Sequence, residues 1–187
     1  AARERDPADC ATAYIEAGRM ADAGLVPDPA LLNMSGPRQQ DVWAHQIQSL
    51  DVVLVAVHPT QGGVGVTSAG RCRDRQFAGA GEVFTLYVAP DHQGQGYGRA
   101  LLEAVLNALH DAGHDSAMLW VLADNHARFF YEAMGGIRTA ERDERLWGTM
   151  LREVAYQWQP LPFSDGRGRF GALQRDLSSS RNGNSNA

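Results

Sequence analysis

Residues 81–105 read GEVFTLYVAPDHQGQGYGRALLEAV, and the parsing of this stretch decides the fold. Glu82 to Val88 is rich in β-branched and aromatic residues, which suit a pleated, half-buried surface. A period of two places Glu82, Phe84, Leu86 and Val88 on one face and Val83, Thr85 and Tyr87 on the other, so Glu82 is expected among apolar neighbours. Pro90 cannot donate to a ladder, and the strand should stop there. From Gly98, Leu101, Leu102, Val105, Leu106 and Leu109 form one apolar helical stripe, with Gly113 as its stop. The stretch is therefore strand, glycine-rich turn, helix.

Working outward, residues 117–122 (AMLWVL) are apolar throughout, as in a strand covered on both faces. A strand, a helix and a second strand in that order imply a right-handed parallel crossover, so the sheet should be at least partly parallel. Asp124 or Asn125 can cap a further helix in which Ala127, Phe130, Tyr131 and Met134 recur on one side, and Gly135-Gly136 ends it. Ile137 to Arg142 and Leu146 to Trp158 are expected as two last strands, separated by a charged turn through RDER. On the N-terminal side, Asp6 and Pro7 can open a helix that runs to Gly24, residues 30–34 can form a short helical turn, and residues 39–50 place Trp43, Ile47 and Leu50 on one helical face. Asp51 to Val57 and Val64 to Gly70 read as a hairpin, and Arg71 to Gly81 as a loop.

Length and composition limit the alternatives. A chain of 187 residues is the size of one ordinary domain and needs no disulfide or metal to hold a core. The longest aliphatic run, Val52 to Val57, is far short of the roughly 20 residues that cross a bilayer, and no signal-peptide layout is present, so a soluble cytoplasmic protein without membrane partners is expected. Cys10 and Cys72 stand in no metal or redox spacing, and the histidines show no metal pattern either. A net charge of -5 argues against nucleic acid as a partner. All 17 basic residues are arginine, which removes Walker-type phosphate loops and Schiff-base chemistry. From Gly166 the chain becomes polar and glycine-bearing. Residues 1–165 are expected to form the domain and 166–187 a tail, disordered at least from Ser178.

QGQGYG, residues 93–98, sets three glycines on alternate positions before a helix. Glycine permits positive φ and close backbone approach, so consecutive N–H groups can converge on an anion at the positive end of the helix. A pyrophosphate fits this; a plain strand-to-helix turn is the alternative. A dinucleotide fingerprint is disfavoured, because Arg99 stands where its third glycine belongs and Asp115 precedes the next strand instead of ending it.

The stretch LYVAPDHQGQGYGRALLEAV resembles the strand, pyrophosphate loop and helix of the GNAT superfamily of acyl-CoA-dependent N-acetyltransferases, with Gln93, Gly96 and Gly98 filling its Q/R-x-x-G-x-G/A loop. LWVLADNHARFFYEAMGG resembles the family's next strand and helix, and LREVAYQW its final strand, so the likeness runs from Pro7 to Trp158. It implies an α/β (α+β) fold: a mixed, mainly antiparallel sheet with a parallel strand pair splayed at the cofactor and helices on both faces.

The resemblance further implies acetyl-CoA as cosubstrate and a primary amine as acceptor, either a small molecule or a peptide; a homodimer is compatible with it. By matching position, backbone groups of Gln93, Gly94, Gln95, Gly96, Tyr97, Gly98 and Arg99 hold the pyrophosphate, while Leu86, Tyr87 and Val88 hydrogen-bond the pantetheine, with Leu86 N–H also polarising the thioester carbonyl. Glu82 falls at the base position, where an apolar surrounding would make it a readier proton acceptor; a carboxylate exposed or paired with an arginine is the alternative. Tyr131 matches the tyrosine that protonates the departing thiolate, or else is a core aromatic. Asp124 holds the family's usual asparagine position and Asn125 the next, so either is a candidate cofactor contact. His92 and His126 are expected as solvated loop histidines. Tyr14, Trp43 and Trp147, with Glu16, Arg19 and Asp22, are candidate acceptor walls. A non-catalytic acyl-CoA-binding sensor or interaction module on the same fold is the rival reading.

Overall fold

The computed structural model describes residues 2–3, 7–21, 36–146 and 148–162. The strands are β1 (Ala2–Arg3), β2 (Val52–His58), β3 (Gly62–Arg71), β4 (Gly81–Val88), β5 (Ala117–Leu122), β6 (Ile137–Leu146) and β7 (Thr149–Trp158). The helices are α1 (Pro7–Ala21), α2 (Gly36–Ser49), α3 (Tyr97–Asp111) and α4 (Ala127–Ala133). They form one mixed sheet in the order β1-β2-β3-β4-β5-β7-β6, in which β4 and β5 are the parallel pair and every other pairing is antiparallel. This is the expected fold class.

Helices lie on both faces of the sheet because its strands are apolar on both. On one face Cys10, Ala11 and Ala13 of α1 and Trp43 of α2 pack on Val53, Val55 and Val66, with Tyr87 against them. On the other, Leu102, Val105, Leu106 and Leu109 of α3 pack on Val52, Val83, Leu119 and Val121. The five stripe residues of α3 are each at most 2% exposed, and burial on that scale contributes about 1.5–3 kcal/mol per side chain. That stripe fixes the helix N-terminus against the end of β4.

Three expectations need correction. First, Ser68 pairs with Thr85 and Ala69 with Val83, which leaves Phe84 unpaired in a β-bulge. The extra residue shifts the alternation, so Val83, Leu86 and Val88 face α3, while Thr85 and Tyr87 face the α1 side. Glu82, next to the inward Val83, therefore shares its face with Thr85 and Tyr87 and not with Leu86 and Val88. Second, RDER is no turn. Arg142 to Arg145 lie within β6 opposite Glu153 to Met150, and the ladder runs on to the pair Leu146 and Thr149. β6 is the sheet edge, where charged side chains block pairing with another chain. Third, Arg71 to Gly81 is not all loop: Asp74 caps a short 3-10 helix, Arg75–Phe77, accepting from Gln76 N–H at 2.9 Å, and Phe77 is buried. The expected turn at 30–34 and the tail from Gly166 lie outside the described residues.

Candidate active site

β4 and β5 pair only at Gly81 with Ala117 and at Glu82 with Met118. Beyond these the two strands carry no ladder, and the edge of β4 from Val83 onward faces an opening. Three hydrogen bonds tell which groups point into it. Ala89 N–H donates to Val64 O of β3, and Thr85 O accepts from Thr67 Oγ1 of β3, whereas Val88 O accepts from Gln93 Nε2 on the other side. Strand alternation then turns the N–H groups of Leu86 and Val88 toward the opening and that of Tyr87 toward β3. At the start of the strand, Gly81 N–H donates to Ser116 O on the β5 side. Both orientations coexist in one strand because the bulge at Phe84 resets the alternation between them.

The opening leads to the glycine loop. Pro90–His92 forms one 3-10 turn, Gly94 and Gly96 take φ of +71° and +88°, and Gly96 is the N-cap of α3. Residues 93–96 are exposed, and a Cβ on Gly94 or Gly96 would meet nothing within 4 Å. Gln95 Nε2 donates to Asp91 O at 2.8 Å, tying the loop to itself. The donor set fits a pyrophosphate: backbone N–H groups at a helix N-terminus with open space before them. His92 corrects the expectation of a solvated histidine. It is 9% exposed, stacked edge-on against His58 and Tyr97, and its Nδ1 has no partner among the described residues. His126 is exposed, as expected.

Glu82 is buried beside Met118 of β5, and its carboxylate is paired with an arginine, the alternative the sequence left open. Its Oε1 accepts from Arg73 Nη2 at 2.7 Å, and its Oε2 accepts from Arg73 N at 2.9 Å and Nε at 3.2 Å. The guanidinium lies 4.2 Å above the ring of Phe84, the bulged residue, and the Glu82 hydrogen bond pushes it further toward the charged form. Burial pushes the Cys72 thiol up, a bond from Sγ to Asp74 O pulls the other way, and the charge of Glu82 adds to the rise. The one signal the sequence carries for Arg73 is the arginine-rich run RCRDR between two strands.

Beside this pair, on the same face, Arg142 of β6 stacks 4.1 Å over Trp120 and bonds Glu153 at 2.8 Å and Asp74 at 3.5 Å. Ser68 and Thr85 share a hydrogen bond of 2.6 Å between hydroxyls.

Tyr131 of α4 is 6% exposed and packs among Phe130, Tyr156 and Trp158. Phe130 in turn faces Gly98, where a Cβ would stand 3.6 Å from its ring, so α4 sits against the glycine loop. Asn125 Oδ1 accepts from Ala127 N–H at 2.8 Å and is occupied in starting α4, while Asp124 is exposed. Tyr14 stacks edge-on with Trp43 and Tyr87. Trp43, expected as an acceptor wall, is 1% exposed and is a core residue beneath Tyr14. Trp147 and the side chains of Glu16, Arg19 and Asp22 lie outside the described residues. Among the described residues no group of three or more His, Cys, Asp or Glu could hold a metal, and no helix is long and apolar enough to cross a membrane.

A family model described as an acetyltransferase (GNAT) domain matches residues 49–135, the segment that builds the splayed strands and the glycine loop. The uncharacterised N-acetyltransferase YuaI of Bacillus subtilis strain 168 is 30% identical over 160 residues, 86% of this chain and 91% of that one. The chain belongs to the GNAT acetyltransferase family. The same fold occurs in a GCN5-related N-acetyltransferase of Rhodopseudomonas palustris, with TM-score 0.66 and 18% identity over 85% of this chain and 94% of that one. YncA of Salmonella typhimurium, solved with its cofactor acetyl-CoA, is 26% identical with TM-score 0.59, covering 85% of this chain and 92% of that one.

Proposed function

We propose that the protein transfers an acetyl group from acetyl-CoA to a primary amine by direct attack in a ternary complex. The observation that carries this reading is the bulge at Phe84. It turns Leu86 and Val88 N–H into the opening between β4 and β5, in line with the exposed N–H groups of the glycine loop. Acetyl-CoA supplies the acetyl thioester. The N–H groups from Gln93 to Arg99 bind the pyrophosphate, and Leu86 and Val88, flanking Tyr87, bind the pantetheine. Leu86 N–H donates to the thioester carbonyl, where negative charge develops during attack. Glu82 takes a proton from the acceptor ammonium, directly or through water, and Tyr131 gives its phenolic proton to the departing sulfur. One ammonium proton is thus released through Glu82. The second, lost on forming the amide, restores the phenol.

One observation favours the rival reading, an acyl-CoA-binding module without turnover: both oxygens of Glu82 are occupied by Arg73. The two separate in one experiment. Acetyl-CoA binding is measured by calorimetry, and free thiol release is then followed with a panel of amines and amino acids. Amine-dependent release with acetylated product is the expected result, and binding without release from any acceptor would refute the transferase reading.

A further inference from the structure

Resting on that reading, the geometry points to an acceptor that carries an anionic group close to its reacting amine, such as a free amino acid, with Arg73 as the residue that grips the anion.

Arg73 is held in place yet open. Its backbone N–H, Nε and Nη2 all bond Glu82, and its guanidinium plane rests on Phe84, so its position costs little to organise when a ligand arrives. Its side chain is nevertheless 70% exposed, against 6% for Glu82, and among the described residues Nη1 has no partner. Arg142 on the same face is the contrast. Its Nε and Nη2 serve Glu153, its Nη1 reaches Asp74, and its face is closed by Trp120. Of these two guanidiniums, Arg73 has a free edge.

Charge decides the class of acceptor. Although the chain is acidic as a whole, the acids bonded to these two guanidiniums are matched by them: Glu82 has Arg73, and Asp74 and Glu153 have Arg142, while Asp51, beyond Gly70, accepts from Arg71 N–H. A polyamine reaching Glu82 would set a second cation against Arg73 with no anion of its own to offer. A zwitterion satisfies both groups, with its ammonium toward Glu82 and its carboxylate on the fork of Arg73, which matches a planar anion in two hydrogen bonds. Because Nη1 and the Glu82-bound Nη2 belong to one guanidinium, amine and anion must lie close together on the acceptor. In transfer the amine nitrogen bonds the acetyl carbon, the carbon–sulfur bond breaks, one ammonium proton leaves through Glu82 and the sulfur departs as thiol.

The test compares amino acids with their α-amides and with polyamines, using the full chain saturated with acetyl-CoA. Binding is read by ligand-observed NMR with CoA, and turnover by thiol release and product mass. The carboxylate forms are expected to bind about 10- to 100-fold better than the amides, the worth of a charge-assisted pair. Arg73→Gln should erase the preference by raising KM for the acids, and Arg73→Lys should keep part of it. Acetyl-CoA affinity reports whether each variant is folded, and the wild-type comparison stands without any variant. Amides or polyamines used as well as the acids, a preference that survives Arg73→Gln, or no amino acid bound at all would each overturn the proposal. Arg73-dependent binding without thiol release would sink the transferase reading alone, whereas Arg73-independent acetylation of amides would sink this inference alone.

Discussion

The glycine loop can be tested with a matched pair of substitutions, Gly96→Ala and Gly113→Ala. The two glycines have nearly the same backbone, φ of +88° and +92°, and at both a Cβ would meet nothing within 4 Å. Gly96 caps the start of α3, and Gly113 follows its end, donating to His110 O at 2.9 Å. Left-handed backbone costs a non-glycine residue about 1–2 kcal/mol, partly offset by about 0.4–1 kcal/mol from the stiffer unfolded chain. Both variants should therefore lose about 1 kcal/mol, or roughly 2–4 °C in Tm for a protein of this size. Their ligand affinities should differ. The added methyl on Gly96 stands in the open space before the N–H groups, so acetyl-CoA should lose one charge-assisted hydrogen bond, about 1.5–3 kcal/mol or roughly 10- to 100-fold in Kd. Gly113→Ala should bind as the wild type does. Thermal melts and calorimetric titrations with acetyl-CoA read the two effects separately. Equal Kd values in the two variants would refute the pyrophosphate reading of residues 93–99 whatever their stabilities.

Other predictions concern the base and the packing. Glu82→Gln should lower kcat by about 10²- to 10⁴-fold while leaving acetyl-CoA affinity in place, and an unchanged pH–rate profile would remove the base assignment. Trp43→Ala should cost about 3–5 kcal/mol, since the side chain is 1% exposed beneath Tyr14, and a melt shifted by less than a degree would show that it is no core residue. Desolvation raises the Tyr156 phenol above its ordinary value, and its 2.5 Å hydrogen bond to Glu132 adds to this. The folded value being the higher one, the stabilisation is complete below the unfolded phenol value of about 10 and is lost as pH rises through the folded value. Alkaline denaturation followed by circular dichroism should reveal this loss in the wild type and a flatter profile in Tyr156→Phe.

Much of this site could be read along the chain because its parts are consecutive. A proline break, three spaced glycines and the stripe from Leu101 to Leu109 are local signals, and each names its structure by a rule of backbone geometry or periodicity. The paired acid and base groups are another matter. Arg73 meets Glu82 across a loop that folds back on β4, and the only local trace is a run of arginines with no periodicity. Arg142 looked like part of a turn because four charges in a row read as solvent-facing, yet an edge strand also faces solvent and gains from charge. His92 departs from its loop for the opposite reason: the loop is exposed, but the ring turns inward onto His58 and Tyr97.

The bulge at Phe84 is the least visible feature and the one with the widest effect. Phenylalanine is a good strand residue, so composition marks no irregularity there, and a strict period of two carries Glu82 to the wrong set of neighbours. Yet an unbulged β4 could not serve both of its ends. With Gly81 N–H directed at Ser116, regular alternation would send the N–H groups of residues 83, 85 and 87 into the opening and bury those of Leu86 and Val88 in the ladder with β3. One inserted residue lets the start of the strand hold β5, puts the Glu82 side chain on the face away from α3, and leaves the far end free to bind along the opening. The same residue then carries Arg73 on its ring, so the device that turns Leu86 and Val88 N–H into the opening also seats the cation proposed to grip the acceptor.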